Sequence, residues 1–235
     1  MFYKTDIGTN NEKNRLDWVK ETLLKIPKGS KILDAGAGQS KYKEYCSHLN
    51  YVSQDFCKYK GKGNEKGLQP DKWDTSSIDI ESDIINIPEK DRSFDAILCT
   101  EVLEHIPEPV KALIEFSRLL KPNGCLILTA PFCSGTHFAP FHYYSGFNQY
   151  FYNHHLTNEG FEIIELSPNG NYYSYLAQEI RRINYCSKRY SLMKIGLFGR
   201  VVIRLILLLL DKYEKKDSDS SDFLCFGYQI LARKI

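Results

Sequence analysis

The segment of residues 31–38, which reads Lys-Ile-Leu-Asp-Ala-Gly-Ala-Gly, constrains the fold of this chain more than any other. A short apolar run ends at Asp34, and Gly36 and Gly38 follow two and four residues later. A strand that leads into such a glycine turn and then a helix brings backbone amides close to a ligand at the carboxyl edge of a parallel sheet. We therefore expect an α/β fold with a ligand site at this turn.

Strand-like apolar runs alternate with helical patterns along the first two thirds of the chain, which indicates parallel βαβ units. We predict a seven-stranded, mostly parallel, Rossmann-like sheet with helices on both faces. The predicted strands are 31–36, 51–55, 77–82, 94–99, 125–130, 161–166 and 223–232, and the predicted helices include 41–48, 110–120 and one that ends at residues 159–160. Residues 58–77 read as a loop.

More than fifty residues separate the last two predicted strands, so we expect a helical insertion over residues 169–222. The prediction is one domain over residues 1–235, with a core of about 15–168 plus 223–235. Within the insertion, residues 195–210 read as a helix with Arg200 and Arg204 one turn apart. This helix could cover the core or form a dimer, and it could also lie on a membrane surface.

Composition excludes several classes of protein. The net charge of +2 gives no electrostatic footprint for a phosphate backbone, so nucleic acid is not an expected partner. Seven cysteines without zinc-ligand spacing read as reduced thiols, which favours the cytoplasm. The polar N-terminus lacks a secretory signal, and no apolar run reaches the ~20 residues of a transmembrane helix.

Acidic residues beside the glycine turn indicate the kind of ligand. Asp34 would face an ammonium group better than a pyrophosphate, and Asp55 ends the second strand, where a carboxylate can accept both ribose hydroxyls. Lys41 stands where the dinucleotide fingerprint has its third glycine, which disfavours a nicotinamide cofactor. Either aspartate alone could be a helix cap or a solvated strand end. Together they favour a nucleoside with an amino-acid tail.

These segments, with residues 82–95, 101–107 and 120–126, resemble the class I methyltransferases, in particular the group of ubiquinone-biosynthesis and related small-molecule enzymes. The resemblance implies S-adenosylmethionine as the cofactor. Methyl transfer from this cofactor requires no metal in principle. It implies that Asp34 and the glycines line the methionine moiety, Asp55 the ribose, and Asp83 with Ile84 the adenine. Thr100 and Glu101 would lie beside the sulfonium. Ala35 and Phe56 complete the predicted cofactor site.

Histidines supply the predicted chemistry on the acceptor side. His137 and His142 fall in the loop after the fifth strand, where open α/β sheets bind ligands. His105 is a further possible base, although it could instead fix the start of a helix. The adjacent pair His154 and His155 points in different directions, so we do not expect a metal pair there.

The aromatic run over residues 141–155 could form a platform for a sugar or an aromatic ring, or it could pack on the core. The sequence thus predicts methyl transfer to a small molecule or glycan precursor, at a hydroxyl. The alternatives are an aromatic or quinone-like acceptor, and a cofactor-binding module without turnover. The oligomeric state stays open.

Overall fold

The computed structural model describes residues 5–235, so the first four residues of the polar N-terminus and of the predicted domain lie outside the described part. A seven-stranded sheet runs in the order β3-β2-β1-β4-β5-β7-β6. Its strands are β1 Lys31–Ala35, β2 Asn50–Asp55, β3 Ile80–Glu81, β4 Phe94–Thr100, β5 Leu120–Pro131, β6 Phe161–Asn169 and β7 Gly227–Lys234. The predicted Rossmann-like α/β fold is confirmed.

Parallel pairing places the ends of five strands at one edge of the sheet. β1 pairs in parallel with β2 and β4, β2 with β3, and β4 with β5. β7 is antiparallel to β5. The chain turns that follow β1, β2, β3, β4 and β5 therefore lie along the same carboxyl edge, where α/β sheets bind ligands.

Five α-helices accompany the sheet in the described residues. They are α1 Asn11–Leu23, α2 Pro109–Leu119, α3 Gln149–Asn158, α4 Tyr172–Tyr190 and α5 Leu197–Glu214. α1 packs Val19 and Leu23 against Ile32, Leu98 and other sheet residues in one apolar cluster. α2 has Pro109 in its first turn, where a missing amide hydrogen costs nothing, and it buries an apolar stripe that includes Phe116.

Two sequence predictions, the helix at 41–48 and the third strand, need correction in their details. The helix predicted at 41–48 is a 3-10 turn over Lys43–Cys46, built from bonds such as Lys43 N to Ser40 O. Ser40 has φ of +55°, which interrupts an α-helix, and the three-residue spacing still buries Cys46 and Leu49. The third strand shrinks to Ile80–Glu81.

The fifth and last strands also have different limits from those predicted. β5 begins at Leu120 because Leu120 pairs with Phe94, and a shift in register after that pair accommodates residues 121–124. β7 begins at Gly227, because the amide of Phe226 donates to Asn169 O instead of joining the strand.

The chain divides into two compact units. One comprises residues 15–167 with Gly227–Ile235, and contains the whole sheet apart from the end of β6. The other contains residues 5–14 with Pro168–Phe226, close to the predicted helical insertion. Searched from residue 5 onward, the chain contains no helix with the length and apolar character that a membrane crossing requires.

The second unit has a small core of its own between α4 and α5. Ile7, Ala177, Leu207 and Leu210 are buried together, and Arg181 donates to the carbonyl of Ile7 at 2.8 Å. The opposite side of α5 exposes apolar side chains, with Leu197 79% and Phe198 82% accessible.

Candidate active site

The glycine turn after β1 has the backbone shape that its sequence requires. Gly36 and Gly38 have φ of +74° and +55°, a region that L side chains rarely adopt. A Cβ on Gly36 would lie 2.6 Å from Val102, and a Cβ on Gly38 would lie 2.5 Å from the ring of Trp73. The turn therefore tolerates no larger residue at either position.

Asp34 lies almost wholly buried beneath this turn, at 1% exposure. Tyr51 on the neighbouring strand donates its hydroxyl to Asp34 Oδ2 at 2.6 Å. Burial raises the pKa of Asp34 to about 7, although the Tyr51 hydrogen bond opposes that rise. A cation that reached this carboxylate would favour its ionised form.

Asp55 at the end of β2 ties the second strand to the glycine turn. Its Oδ2 accepts from the amide of Gly38 at 3.0 Å, and its Oδ1 accepts from the amide of Cys57 at 2.8 Å. Each carboxylate oxygen can accept more than one hydrogen bond, so both retain capacity for a diol. The structure thus brings the predicted methionine and ribose residues together.

The predicted adenine residues follow β3 at the same edge. The amide of Ser82 donates to the carbonyl of Asp55 at 3.1 Å, which places the start of this segment beside the end of β2. Ile84 is buried, whereas Asp83 is exposed and accepts from the amide of Ile85 at 3.2 Å. Asp83 and Ile84 therefore come directly after Ser82, whose amide contacts Asp55.

Thr100 ends β4, and Glu101 comes next with φ of +54°. Thr129 donates to Glu101 Oε1 at 3.0 Å, and Arg15 on α1 lies 3.0 Å from Glu101 Oε2. The sequence analysis did not identify Arg15. Its local sequence shows only a basic residue on a polar helix, and its proximity to Glu101 comes from the packing of α1 on the sheet.

Two loops join above the carboxyl edge. Leu68, in the loop after β2, forms a parallel bridge with His137, in the loop after β5. The amide of Leu68 donates to Thr136 O at 2.9 Å, and Phe56 packs edge-on against Phe141 with centroids 5.0 Å apart. The predicted loop over residues 58–77 thus contains no regular element apart from this isolated bridge, and it is held against the histidine-bearing loop.

All three predicted acceptor-side histidines come together beneath these loops. The ring centroids of His105 and His137 are 4.7 Å apart, those of His137 and His142 are 4.6 Å apart, and those of His105 and His142 are 5.8 Å apart. Burial and the nearby His137 lower the pKa of His105 to about 3. Burial and the same neighbour also lower the pKa of His142.

Glu104 is the residue of this cluster that the sequence analysis missed. Its side chain is fully buried, and its Oε1 lies 3.7 Å from the Nε2 atoms of both His105 and His137. Burial raises the pKa of Glu104. Burial opposes the charge of His137, but the carboxylate of Glu104 and the carbonyl of Gly135 act together against it and raise the pKa of His137. The adjacent Glu104-His105 pair was the available signal.

The aromatic run over residues 141–155 contains both residues that pack in the core and residues that are exposed and could contact a ligand. Phe147 and Tyr152 are buried in the core, whereas Tyr143 and Tyr144 are exposed. The amides of Tyr143 and Tyr144 both donate to the carbonyl of Glu104, at 2.9 and 3.1 Å. This fixes the exposed tyrosines next to the histidine cluster.

Comparison with known proteins agrees with this arrangement. Residues 33–128 match the family model described as a methyltransferase domain. The chain is 32% identical over 122 residues to the ubiquinone biosynthesis O-methyltransferase of Xanthomonas oryzae pv. oryzae, covering 49% of this chain and 48% of that protein. The ubiquinone biosynthesis O-methyltransferase of Xylella fastidiosa is 28% identical, and the match covers 49% of this chain and 46% of that protein. The chain thus spans about half the length of the curated relatives it matches.

Solved structures share the fold over nearly the whole chain. The [4+2]-cyclase SpnF has a TM-score of 0.57 at 19% identity, covering 99% of this chain and 85% of that one. A SAM-dependent methyltransferase from Archaeoglobus fulgidus has a TM-score of 0.56 at 15% identity, covering 95% and 94%. At these identities the likeness concerns the fold alone. The matched segment, residues 33–128, is thus similar to methyltransferase domains, as are the curated relatives.

Proposed function

We propose that this chain transfers the methyl group of S-adenosylmethionine to a hydroxyl group of a small molecule or glycan precursor. The proposal rests on one edge of the sheet, where residues suited to a nucleoside cofactor and a cluster of possible bases lie together. Asp55 and the Gly36–Gly38 turn stand on one side, and three clustered imidazoles stand on the other. A nucleoside cofactor and an acceptor bound there would meet between them.

On the cofactor side, the proposed contacts follow the sequence order of the edge. Asp34, Ala35, Gly36 and Gly38 surround the methionine moiety, Asp55 and Phe56 the ribose, Asp83 and Ile84 the adenine, and Thr100 and Glu101 the sulfonium. The buried carboxylate of Asp34 and the free acceptor capacity at Asp55 support the first two assignments. S-adenosylmethionine supplies an activated methyl group when bound, and the protein contributes alignment and exclusion of water.

On the acceptor side, we propose His142 as the general base. The Nε2 atoms of His105 and His137 face Glu104, whereas the ring of His142 is partly exposed and its Nε2 lies 3.3 Å from Ser134 Oγ. With S-adenosylmethionine held at the glycine turn, its sulfonium would supply the methyl group with the sulfide as leaving group, and His142 would take up the proton that the acceptor hydroxyl loses. His105 and His137 orient this base.

An aromatic or quinone-like hydroxyl is the second acceptor class. The names of the curated relatives support it, since they are ubiquinone biosynthesis O-methyltransferases. Exposed Tyr143 and Tyr144 beside the histidines suit either a sugar or an aromatic ring. The fold itself does not choose, because the same fold carries a cyclase.

The test is incubation of the protein and labelled S-adenosylmethionine with separate panels of sugar nucleotides, small polyols and catechol-type phenols. We expect label in one sugar or polyol product, with the mass gain of one CH2 unit. Label in a phenol alone would shift the proposal to the second class. Tight cofactor binding with no product from any panel would instead support a binding module without turnover.

We also propose that the chain forms one domain with a helical insertion and works in the cytoplasm. Seven cysteines without zinc-ligand spacing support that compartment. A single cooperative unfolding transition seen by both tryptophan fluorescence and circular dichroism would support one domain.

A further inference from the structure

The connection between α4 and α5 exposes a run of large apolar side chains. Leu192 in the connecting turn is 90% accessible, and Met193 beside it is also exposed. Leu197 and Phe198 follow in the first turn of α5 and are exposed as well. Single exposed apolar residues are normal on a protein surface, whereas a run of this density marks an interaction site. Residues 188–205 are called the hairpin segment below.

α5 is apolar on two of its faces. Leu207 and Leu210 are buried in the small core that α5 shares with α4. Leu197, Val201 and Leu205, which are spaced four residues apart, form a second stripe, and all three are exposed. A helix that packs on its own unit needs one apolar face for that purpose. The core of this unit therefore does not account for the second stripe.

The same stretch of the chain is strongly basic. No acidic residue occurs between Glu179 and Asp211, whereas seven basic residues do, which leaves 24 basic against 29 acidic residues in the rest of the chain. Two of the seven have contacts within the unit, because Arg181 donates to the carbonyl of Ile7 and Arg182 donates to Glu179. The other five lie in the hairpin segment, at Lys188, Arg189, Lys194, Arg200 and Arg204. Positive charge is thus concentrated where the apolar side chains are exposed.

We propose that the hairpin segment holds this chain on the surface of an anionic membrane, without crossing it. Exposed apolar side chains enter the boundary between lipid headgroups and acyl chains, and lysine and arginine meet the anionic headgroups. At 3.6 residues per turn, Arg200 and Arg204 lie beside the stripe of Leu197, Val201 and Leu205 on α5. Both kinds of contact can therefore form at once.

Two other occupants fit the hairpin segment less well. In a symmetric dimer the same surface of two copies would meet, and the basic residues of both copies would repel each other with no acidic residue in the segment to pair with them. Nucleic acid would neutralise the basic residues, but its phosphate backbone offers no partner for Leu192, Leu197 and Phe198. A lipid surface satisfies both the charge and the apolar side chains.

This inference does not rest on the proposed function, because neither cofactor nor acceptor takes part in membrane binding. The experiment is sedimentation of the full chain with vesicles of phosphatidylcholine alone and with mixed vesicles that also contain phosphatidylglycerol, at low and at high salt. Leu197→Ser removes an apolar contact, and Lys194→Glu reverses a charge. Leu24→Ser and Lys216→Glu are the matched controls, because both residues are exposed and lie outside the hairpin segment.

We expect the wild type to bind the mixed vesicles and to bind them more weakly at high salt, because salt screens the attraction between basic residues and anionic lipid. Lys194→Glu should weaken this binding by more than the ~5-fold that one basic residue contributes near an anionic surface. Leu197→Ser should weaken it by ~10-fold or more, because a leucine side chain no longer leaves water. Both controls should match the wild type.

Circular dichroism reports whether each variant is folded, and both substituted side chains are exposed, so the core is not disturbed. A folded wild type that does not bind the mixed vesicles, or unchanged binding in folded Leu197→Ser and Lys194→Glu, would overturn the proposal. Light scattering tests the second copy: a lipid-free dimer that Leu197→Ser dissociates would assign the segment to self-association instead. Tighter binding to a DNA duplex than to the mixed vesicles, lost in Lys194→Glu and kept in Leu197→Ser, would assign it to nucleic acid.

Discussion

Replacement of Asp34 by asparagine tests two effects of a buried charge separately: its effect on the stability of the fold and its effect on cofactor affinity. Asp34 is 1% exposed, and burial raises its pKa from 3.8 to about 7 in the folded chain. The unfolded chain releases this proton near pH 3.8, whereas the folded chain holds it until about pH 7. Between these values the folded state binds the extra proton, so wild-type stability falls as the pH rises.

The size of the effect follows from the shift. At ~1.4 kcal/mol per pKa unit, a rise of about three units corresponds to roughly 4 kcal/mol above pH 7. The asparagine side chain would carry no charge and could still accept from Tyr51. The stability advantage of Asp34→Asn should therefore grow by about 2–3 kcal/mol between about pH 5 and about pH 8.

Urea unfolding of both proteins at the two pH values measures this difference, with equal slopes as the check on two-state behaviour. Cofactor affinity should move the other way, by ~1.5–3 kcal/mol, since the variant lacks the carboxylate proposed to meet the ammonium. If the stabilities of the wild type and Asp34→Asn changed with pH in the same way, the raised pKa of Asp34 would be refuted. Unchanged affinity for S-adenosylmethionine would remove Asp34 from the methionine side.

Three further substitutions test the two sides of the site. Asp55→Ala should weaken cofactor binding by roughly 1–3 kcal/mol in a folded protein, measured by calorimetry, and unchanged affinity would exclude Asp55 from the ribose contact. Gly38→Ala should abolish measurable cofactor binding, because the new Cβ meets Trp73 at 2.5 Å, and wild-type binding would show that the turn relaxes. His142→Ala should lower turnover ~10²–10⁴-fold at unchanged cofactor affinity, with His154→Ala as control, and full turnover would reassign the base.

Local sequence was sufficient to predict that the glycine turn and the end of the second strand lie together. The Gly36–Gly38 turn and Asp55 follow strands whose ends parallel pairing brings to one edge, so their proximity could be predicted. The helix predicted at residues 41–48 was wrong because Ser40, with φ of +55°, interrupts an α-helix, and a 3-10 turn over Lys43–Cys46 buries Cys46 instead.

The acceptor side depends on contacts that local patterns do not encode. His137 reaches Glu104 because its loop pairs with Leu68, far away in the sequence. Arg15 reaches Glu101 through the packing of a whole helix. Both cases require the positions of several elements at once, and a single sequence does not give them.

A calorimetric titration of the full chain with S-adenosylhomocysteine tests the central claim most directly. We predict one binding site per chain, with affinity that does not depend on added metal, because the proposed cofactor residues Asp34, Gly38 and Asp55 are separate from the Glu104 cluster. NAD should not compete, because Lys41 stands in place of the third glycine of the dinucleotide fingerprint. No binding of S-adenosylhomocysteine, or tighter binding of NAD, would contradict the account.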